Sequence, residues 1–219
     1  MAPVRMGTSL NMALPEIVLA SASPARKQLL RNVGITPTVI VSSVDEPAAE
    51  AAAGWKSPTE IAQGLAALKA ADVATRLSPN TLVIGCDSVM EFAGAAYGKP
   101  DSTEIAVERL RMMSGGSGHL HTGHSVGLIT EFGVEWRHAL CSTEVYFHEL
   151  SEPEIAAYVQ TGEPLRVAGS YTLDSLGGPF IKAINGDAAN VVGLSVQTLR
   201  RMFAELGIGW EEVLSQVTA

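Results

Sequence analysis

Residues 19–30 read LASASPARKQLL, and this stretch decides the fold. Directly before its turn, the apolar residues Ile17 to Leu19 predict a short β-strand. Ser23 can cap a helix, and Pro24 suits the first helical position because its φ is already helical. The stretch therefore predicts a strand, a tight turn and a helix whose free N–H groups face the turn.

This strand–helix junction has two interpretations. A helix N-terminus attracts anions, and Arg26 and Lys27 add positive charge one turn into the helix, so the turn can cradle a phosphate group. An ordinary junction with a capping serine explains the same residues, with Gly34 ending the helix in either case. The rest of the chain has to decide between them.

Composition narrows the classes of protein and ligand. The chain has 219 residues, a net charge of −8 and two cysteines. This length allows one large domain or two closely joined lobes, and we predict one domain over residues 1–219, with residues 1–14 as a loose leader. The negative charge argues against a protein that binds a nucleic acid polymer, although a small phosphorylated ligand can bind at a local positive site. Two cysteines are too few for a disulfide scaffold. The N-terminus has no apolar core of the length that a signal peptide needs, and no stretch is long enough to cross a bilayer. We therefore expect a cytoplasmic protein without a membrane partner.

Two acidic positions follow predicted strands. Asp45 and Glu46 come just after the second strand, predicted at residues 38–41, and Asp87 comes directly after a buried strand at residues 81–86. Such residues often form solvated or Asx turns. In an α/β fold the same places are also where metal or catalytic ligands lie.

Two lysines have a similar ambiguity. Lys69 lies beside the apolar face of a helix that begins after Ser57 with a capping box, and a lysine there usually extends to solvent. Lys99 lies in a Gly-Lys-Pro turn.

Three histidines, His119, His121 and His124, are close enough in sequence to suggest zinc. However, side chains of a strand alternate between its faces, so the first two lie on one face that we expect to be exposed.

The order of elements indicates the fold class. Strands alternate with helices in the first half of the chain, and residues 125–130 and 140–147 then alternate like paired antiparallel strands. The sequence therefore predicts an α/β fold with a mixed sheet.

The order and spacing of these features resemble the Maf family of nucleotide pyrophosphatases. The opening motif of that family, Leu-Ala-Ser-x-Ser-Pro-Arg-Arg-x-x-Leu-Leu, matches residues 19–30. The resemblance extends over residues 16–206, nearly the whole chain. Its further matches are Asp45-Glu46, Leu68-Lys69-Ala70, Gly85-Cys86-Asp87-Ser88, Gly98-Lys99-Pro100, Ser114-Gly115, His121-Thr122-Gly123, Tyr158-Val159, Ala168-Gly169 and Asn190-Val191-Val192-Gly193-Leu194.

The resemblance implies an elongated mixed sheet flanked by helices, with two lobes and a cleft, as in inosine triphosphate pyrophosphatases. It implies hydrolysis of a nucleoside triphosphate to a monophosphate and diphosphate, with a divalent metal (Mg or Mn), in a homodimer. Asp87 matches the family's proton acceptor and would also help hold the metal, together with Glu46. The positions that match contacts to the triphosphate are Ser21, Ser23, Arg26, Lys69 and Lys99.

The chain departs from the family pattern at two places. The first arginine of the family motif is Ala25 here. In the late glycine-rich loop, residues 171–178, Asp174 takes the place of a glutamine found in the branch that acts on thymidine and uridine triphosphates. A carboxylate can accept hydrogen bonds from a guanine edge, so Asp174 favours a purine or modified nucleotide.

A rival hypothesis is a nucleotide-binding regulator of septum formation with little catalysis, since the family is associated with cell-division arrest. A pure binder gains little from a carboxylate that faces a triphosphate, because like charges repel. Asp87 beside Glu46 therefore favours metal-assisted hydrolysis.

Overall fold

A computed structural model describes residues 14–217 and contains one mixed sheet of seven strands flanked by helices. The predicted α/β class is therefore confirmed. The strands are β1 (Glu16–Leu19), β2 (Thr38–Val39), β3 (Thr81–Phe92), β4 (Ala95–Tyr97), β5 (Ser117–Thr130), β6 (Gly133–Phe147) and β7 (Ile181–Asn185). The helices are α1 (Pro24–Asn32), α2 (Glu46–Ala53), α3 (Pro58–Ala74), α4 (Thr103–Met113), α5 (Glu152–Gln160), α6 (Ala188–Val192), α7 (Val196–Glu205) and α8 (Trp210–Ser215).

The sheet contains an opening along one edge of β3. The strand order is β2-β1-β3-β5-β6-β7, with β1 parallel to β3 and the later pairs antiparallel. On the edge away from β5, β1 pairs with β3 only from Thr81 to Ile84, and β4 pairs with β3 only from Met90 to Phe92. Residues 85–89 of β3 therefore have no strand beside them on that edge among the described residues. The opening exposes the middle of this largely buried strand to other groups.

Apolar clusters cover the sheet on both faces. On one face, the α7 cluster (including Ile84, Val126, Leu199 and Phe203) and the α4 cluster (including Met90, Leu110, Met113 and Phe147) occupy opposite ends of the long strands. On the other face, the α3 cluster includes Val18, Val73, Val83 and Ile129. The two clusters on the first face are the counterpart of the two lobes expected from the family resemblance.

The first predicted unit agrees closely with the structure. Strand β1 leads into a turn, and the Ser23 hydroxyl accepts the Arg26 N–H as the N-cap of α1. The capping box at Ser57 is also confirmed. Of the predicted leader, residues 1–13 lie outside the described residues, while Leu14 packs against the α7 cluster. No helix among residues 14–217 has both the length and the apolar character needed to cross a bilayer.

Several local predictions were wrong. Strand β2 ends at Val39 rather than 41. Residues 46–53, which were not predicted to be helical, form helix α2, because Asp45 caps it and its alanines favour a helix. Residues 81–92 form one continuous strand, so Asp87 lies within β3 and not after it.

Two glycines let α3 pack unusually close to the sheet. A Cβ on Gly85 would lie 2.4 Å from the Ala66 carbonyl oxygen, and one on Gly123 would lie 2.2 Å from the Ala62 carbonyl oxygen. Gly123 is the β5 residue directly opposite Asp87. The backbone of α3 therefore approaches β3 and β5 at the level of Asp87, where only glycine leaves room for it.

The substitution Gly85→Ala tests this close approach. We expect it to lower the free energy of unfolding by about 2 kcal/mol, because overpacking pushes the helix and strand apart. Urea unfolding measures the change. Gly98→Ala is the control, since a Cβ there meets no heavy atom within 4 Å. Equal stability of the two variants would contradict the assigned role of Gly85.

Candidate active site

A lysine from α3 joins the two acidic positions predicted from sequence. The Lys69 ammonium lies 2.5 Å from Asp87 Oδ1 and 2.7 Å from Glu46 Oε1. The side chains of Lys69 and Asp87 are each 12% exposed, whereas that of Glu46 is 47% exposed. Lys69 therefore does not extend to solvent as a surface lysine would. Three predicted site residues from three separate elements meet at this point.

Burial and neighbouring charge act in opposite directions on Asp87. Burial raises the pKa of its carboxyl group, and the positive charges of Lys69 and Arg26 oppose that rise without cancelling it. A carboxyl group with a raised pKa can accept a proton more readily than an ordinary surface carboxylate. Its environment therefore suits Asp87 for general base chemistry.

Glu50 is a further acidic residue of the site, and sequence analysis did not select it. It lies one helical turn after Glu46 on α2, and its pKa is raised by burial, by Asp87 and by Glu46. Glu50 thus adds a third carboxylate near the Lys69 ammonium, which contacts only Asp87 and Glu46 among the described residues. The i, i+4 spacing from Glu46 was the signal available in the sequence, but it has meaning only once residues 46–53 are known to be helical.

The predicted phosphate-binding turn lies at the opening of the sheet. Ser21 Oγ accepts the Ser23 N–H at 3.3 Å, and Ser23 in turn caps α1. Ala20 N–H donates to the Ile84 carbonyl oxygen at 2.8 Å, so the turn begins beside the last residue of β3 that pairs with β1. The free N–H groups of α1 consequently face the side of the opening that borders β1.

Arg26 points into the protein rather than toward solvent. Its Nε donates to the Gly193 carbonyl oxygen at 2.7 Å, and one terminal nitrogen donates to Cys86 O at 2.8 Å and Ser21 Oγ at 3.1 Å. The other terminal nitrogen donates to Ser88 Oγ at 3.0 Å. The guanidinium is thus largely used for internal hydrogen bonds, and one of its N–H groups has no partner within residues 14–217. The sequence-based role of Arg26 in phosphate contact stays a prediction.

A buried polar network extends from Arg26 across the sheet. Ser88 Oγ and Thr122 Oγ1 are 2.9 Å apart, and Thr122 donates to the Asn190 carbonyl oxygen. Asn190 Nδ2 donates to Leu120 O and Thr143 Oγ1. This network connects β3, β5 and β6 to α6, and it separates the α7 cluster from the α4 cluster.

Lys99 and Asp174 lie apart from the Lys69–Asp87 pair. Lys99 is exposed in the turn after β4, on the other side of the sheet opening from Ser21. Asp174 is exposed in a loop whose Tyr171 packs in the α4 cluster, on the face of the sheet opposite the Lys69–Asp87 pair. No described contact connects either residue to Asp87, so both assignments stay predictions.

Glu163 organises the Asp174 loop and was not selected from sequence. Its carboxylate accepts hydrogen bonds from Ser175 Oγ at 2.6 Å, from Gly177 N–H at 2.9 Å and from the Thr172 hydroxyl. Burial opposes ionisation, but these hydrogen bonds outweigh it and lower the pKa of Glu163. The sequence gives no sign that Glu163 has this role, because these hydrogen-bond partners lie nine to fourteen residues later in the chain.

The acidic residues fit a divalent cation that shares its coordination with substrate. Among residues 14–217, no group of three or more His, Cys, Asp or Glu side chains is arranged as a metal site. Mg²⁺ commonly takes only one or two carboxylates and completes its coordination with phosphate oxygens and waters. Glu46 and Asp87, held by one ammonium, are a donor pair of that kind.

The histidines considered for zinc point to different partners. His121 is buried, not exposed as predicted, because Glu91 Oε2 and Ser142 Oγ bind its two ring nitrogens at 2.8 and 2.7 Å. His124 Nε2 accepts the Ser195 N–H, and burial lowers the pKa of its imidazole to about 4. His119 alone of the three is exposed.

The matches to known proteins agree with this geometry. The profile of the family described as Maf-like protein matches residues 16–206. This chain belongs to the Maf-like protein family. It is 49% identical to a Salinispora tropica protein over 88% of this chain and 84% of that protein, and 50% identical to a Streptomyces coelicolor protein over 90% and 93%. A Thermosynechococcus vestitus protein is 46% identical over 87% and 93%. Each of these relatives is named "Nucleoside triphosphate pyrophosphatase".

The substitution Lys69→Met tests the buried ion pair. We expect it to lower the free energy of unfolding by about 3 kcal/mol at pH 8, because Asp87 would be left buried without its counter-charge. Loss of the ammonium raises the pKa of Asp87 further. A group whose pKa is higher in the folded state loses stability as pH rises, so the deficit should shrink at pH 5.

Two controls accompany the urea unfolding curves at both pH values. Arg76→Met removes an exposed i, i+4 pair with Asp72 near the end of the same helix and should change stability by at most about 0.5 kcal/mol. Adding Asp87→Asn to Lys69→Met should recover most of the loss at pH 8. A deficit of equal size at both pH values would contradict the electrostatic explanation.

Proposed function

We propose that this protein is a nucleoside triphosphate pyrophosphatase, an enzyme that hydrolyses a nucleoside triphosphate to the monophosphate and diphosphate. The observation that supports this most strongly is Asp87, a buried carboxylate with a raised pKa, held by Lys69 at the opening of the sheet. The names of the relatives point to the same activity.

The proposed reaction breaks the bond between the α- and β-phosphates. Asp87 accepts a proton from a water molecule whose oxygen forms the new bond to phosphorus, while the bridging oxygen leaves with the departing phosphate. The Ser21–Ser23 turn and the α1 N-terminus bind phosphate oxygens. Lys69 and Lys99 offset the negative charge that the transition state spreads over those oxygens.

A divalent cation, Mg²⁺ or Mn²⁺, completes the proposal. Glu46 and Asp87 would hold it, and when bound it would neutralise phosphate charge at the bond that breaks. The surplus of carboxylates around Lys69, to which Glu50 contributes, attracts such a cation. Glu46, about half exposed, can reorient toward it without disrupting the core.

We also propose that the protein acts in the cytoplasm as a homodimer. Its two cysteines are free thiols, one buried and one partly buried, which suits a reducing compartment. Sedimentation velocity over a range of protein concentrations measures the oligomeric state. A role in cell-division arrest stays a prediction.

The substitution Asp87→Asn tests the catalytic assignment. We expect kcat to fall by about two orders of magnitude or more, since the amide cannot accept the proton, while the fold is kept. The measurement is pyrophosphate release from a panel of canonical and modified nucleoside triphosphates. Glu205→Gln, which alters an exposed pair on α7, is the matched control. Wild-type turnover in the Asp87→Asn variant would refute the role.

The same assay gives the pH dependence. Because the pKa of Asp87 is raised, kcat/KM of the wild type should fall as pH drops through a value above the usual carboxyl range. This fall in kcat/KM at low pH should be absent from any residual activity of the Asp87→Asn variant.

The substitution Glu46→Gln tests the metal assignment. We expect the Mg²⁺ concentration for half-maximal activity to rise by about tenfold, because one charged ligand is lost, with kcat at saturating Mg²⁺ changed far less. Titration of Mg²⁺ and Mn²⁺ after removal by a chelator measures the effect. Glu60→Gln on α3, whose carboxylate accepts the Lys56 and Ser57 N–H groups at the start of the helix, is the control. An unchanged metal requirement would exclude Glu46 as a ligand.

A further inference from the structure

Helix α2 contains Glu46 and Glu50, yet little apolar packing holds it against the protein. None of its eight residues is buried, and apart from two glutamates and a proline they are all alanines. Besides the ion pair of Glu46 with Lys69, no side-chain hydrogen bond or ion pair in the described chain joins residues 46–53 to another helix or strand. The position of α2 therefore depends on a small number of polar contacts.

The segments that flank α2 do not pack in the core either. No residue from 41 to 54 belongs to an apolar cluster, and Ile40 is the last residue before α2 that packs against one. After the helix, Gly54 has a left-handed φ of 65° and open space around it. Trp55 then lies against Gly64 of α3, where a Cβ would be 2.0 Å from the indole ring. Residues 41–54 thus form one largely exposed segment between two fixed points.

Asp72 of α3 fixes this segment directly before α2 begins. Its carboxylate accepts the Ser43 N–H at 2.9 Å and the Ser43 hydroxyl at 3.0 Å. Arg76 holds the same carboxylate from the following turn of α3, at 2.7 Å. The Ser43 N–H, and after it the Ser43 hydroxyl, lower the pKa of Asp72, so the carboxylate is charged near neutral pH. Ser43 lies two residues before Asp45, the N-cap of α2.

Asp72 and Lys69 hold the start of α2 at two neighbouring points. They are three residues apart on α3, a spacing that places them side by side on the helix surface. Their partners, Ser43 and Glu46, are likewise three residues apart. The Lys69–Glu46 ion pair and the Asp72–Ser43 hydrogen bonds therefore attach the beginning of α2 to one side of α3.

The two contacts respond differently to a bound cation. In the proposed function Glu46 turns toward the cation, which competes with Lys69 for the Glu46 carboxylate. Neither Asp72 nor Ser43 is a proposed ligand, so their hydrogen bonds can stay intact. Once Glu46 binds the cation, the Asp72–Ser43 hydrogen bonds are the contact that still attaches α2 to α3.

We propose that Asp72 is a positioning residue of the cation site, which holds Ser43 and so keeps Glu46 within reach of a cation at Asp87. This inference rests on the proposed function. Without the Asp72–Ser43 hydrogen bonds, α2 can move away from α3, and cation binding must then also order the segment. The affinity for the cation falls by that cost, although no ligand has been changed.

The first measurement is the Mg²⁺ concentration for half-maximal diphosphate release, with the nucleoside triphosphate that the wild type hydrolyses best. We expect Asp72→Ala to raise this concentration by about tenfold, because groups that hold metal ligands in place commonly have effects of this size. The value of kcat at saturating Mg²⁺ should change far less, since Asp87 and the proposed phosphate contacts are untouched.

Two further variants separate positioning from charge. Asp72→Asn removes the negative charge, but its amide oxygen can still accept the Ser43 N–H and its amide nitrogen can donate to the Ser43 hydroxyl. This variant should therefore keep a Mg²⁺ requirement close to that of the wild type. In the Glu46→Gln background, Asp72→Ala should have little further effect, because Asp72 acts through Glu46.

Hydrogen exchange of the metal-free protein tests the same contact without an activity assay. We expect Asp72→Ala to speed amide exchange in residues 46–54 by at least about threefold, with exchange in β3 unchanged. Glu152→Ala is the matched control, since Glu152 is also an exposed carboxylate that joins two helices, α5 and α4, through Arg111. It should leave both the exchange of residues 46–54 and the Mg²⁺ requirement unchanged.

Three results would overturn the inference. The first is an active Asp72→Ala variant whose Mg²⁺ requirement, or whose exchange in residues 46–54, equals that of the wild type. The second is an equal effect of Asp72→Asn, which would assign the effect to charge. The third is a full effect of Asp72→Ala in the Glu46→Gln background. Failure of the proposed function looks different, because then the wild type itself would release no diphosphate from any nucleoside triphosphate, while the difference in exchange would persist.

Discussion

The fold depends on how the Arg26 guanidinium fills the opening in the sheet. Strand β1 stops pairing with β3 at Ile84, and β4 pairs with β3 only from Met90, so the Cys86 carbonyl has no strand partner on that edge among residues 14–217. Arg26 donates to it at 2.8 Å and at the same time binds Ser21, Ser88 and Gly193. A buried carbonyl without a partner costs about 1–3 kcal/mol, and the guanidinium avoids that loss while connecting α1, β3 and α6. The sheet can therefore contain this opening without leaving the Cys86 carbonyl unsatisfied.

The opening matters for the candidate site because Asp87 lies on the other face of β3. Residues of a strand alternate between faces, so Cys86 and Ser88 meet Arg26 while Asp87 points to α3. Gly85 and Gly123 bring α3 close enough for Lys69 to reach Asp87. A single strand segment thus presents a structural network on one face and a buried carboxyl group with a raised pKa on the other. Substitution of Arg26 or of Lys69 should therefore raise the pKa of Asp87, because each removes a positive charge that lowers it. Lys69 acts through direct contact, whereas Arg26 acts from the other face of the strand.

The sequence predicted the elements whose signals are local. Strand β1, the Ser23 cap and the capping box at Ser57 depend on neighbouring residues, and all three are confirmed. Helix α2 was missed because Pro47 after two acids looks like a turn, although proline is tolerated in the first turn of a helix. The burial of Lys69 and His121 was missed for another reason: their partners lie eighteen and more residues away, and no spacing rule reveals them. The family resemblance placed Lys69 at the site, whereas periodicity alone made it a surface residue.

The alanine at position 25 has a consequence for how phosphates are bound. Because Arg26 is engaged inside the protein, the absence of arginine at Ala25 leaves the Ser21–Ser23 turn without a guanidinium that faces solvent. Lys27, half-buried in the first turns of α1, is the nearest remaining cation in that stretch. Meanwhile Lys69 already shares its charge with Asp87 and Glu46. The positive charge that these residues offer is therefore small beside the negative charge of a triphosphate, and the proposed divalent cation at the carboxylates would make up the difference. The charges of the site thus support the proposed metal independently of the family resemblance.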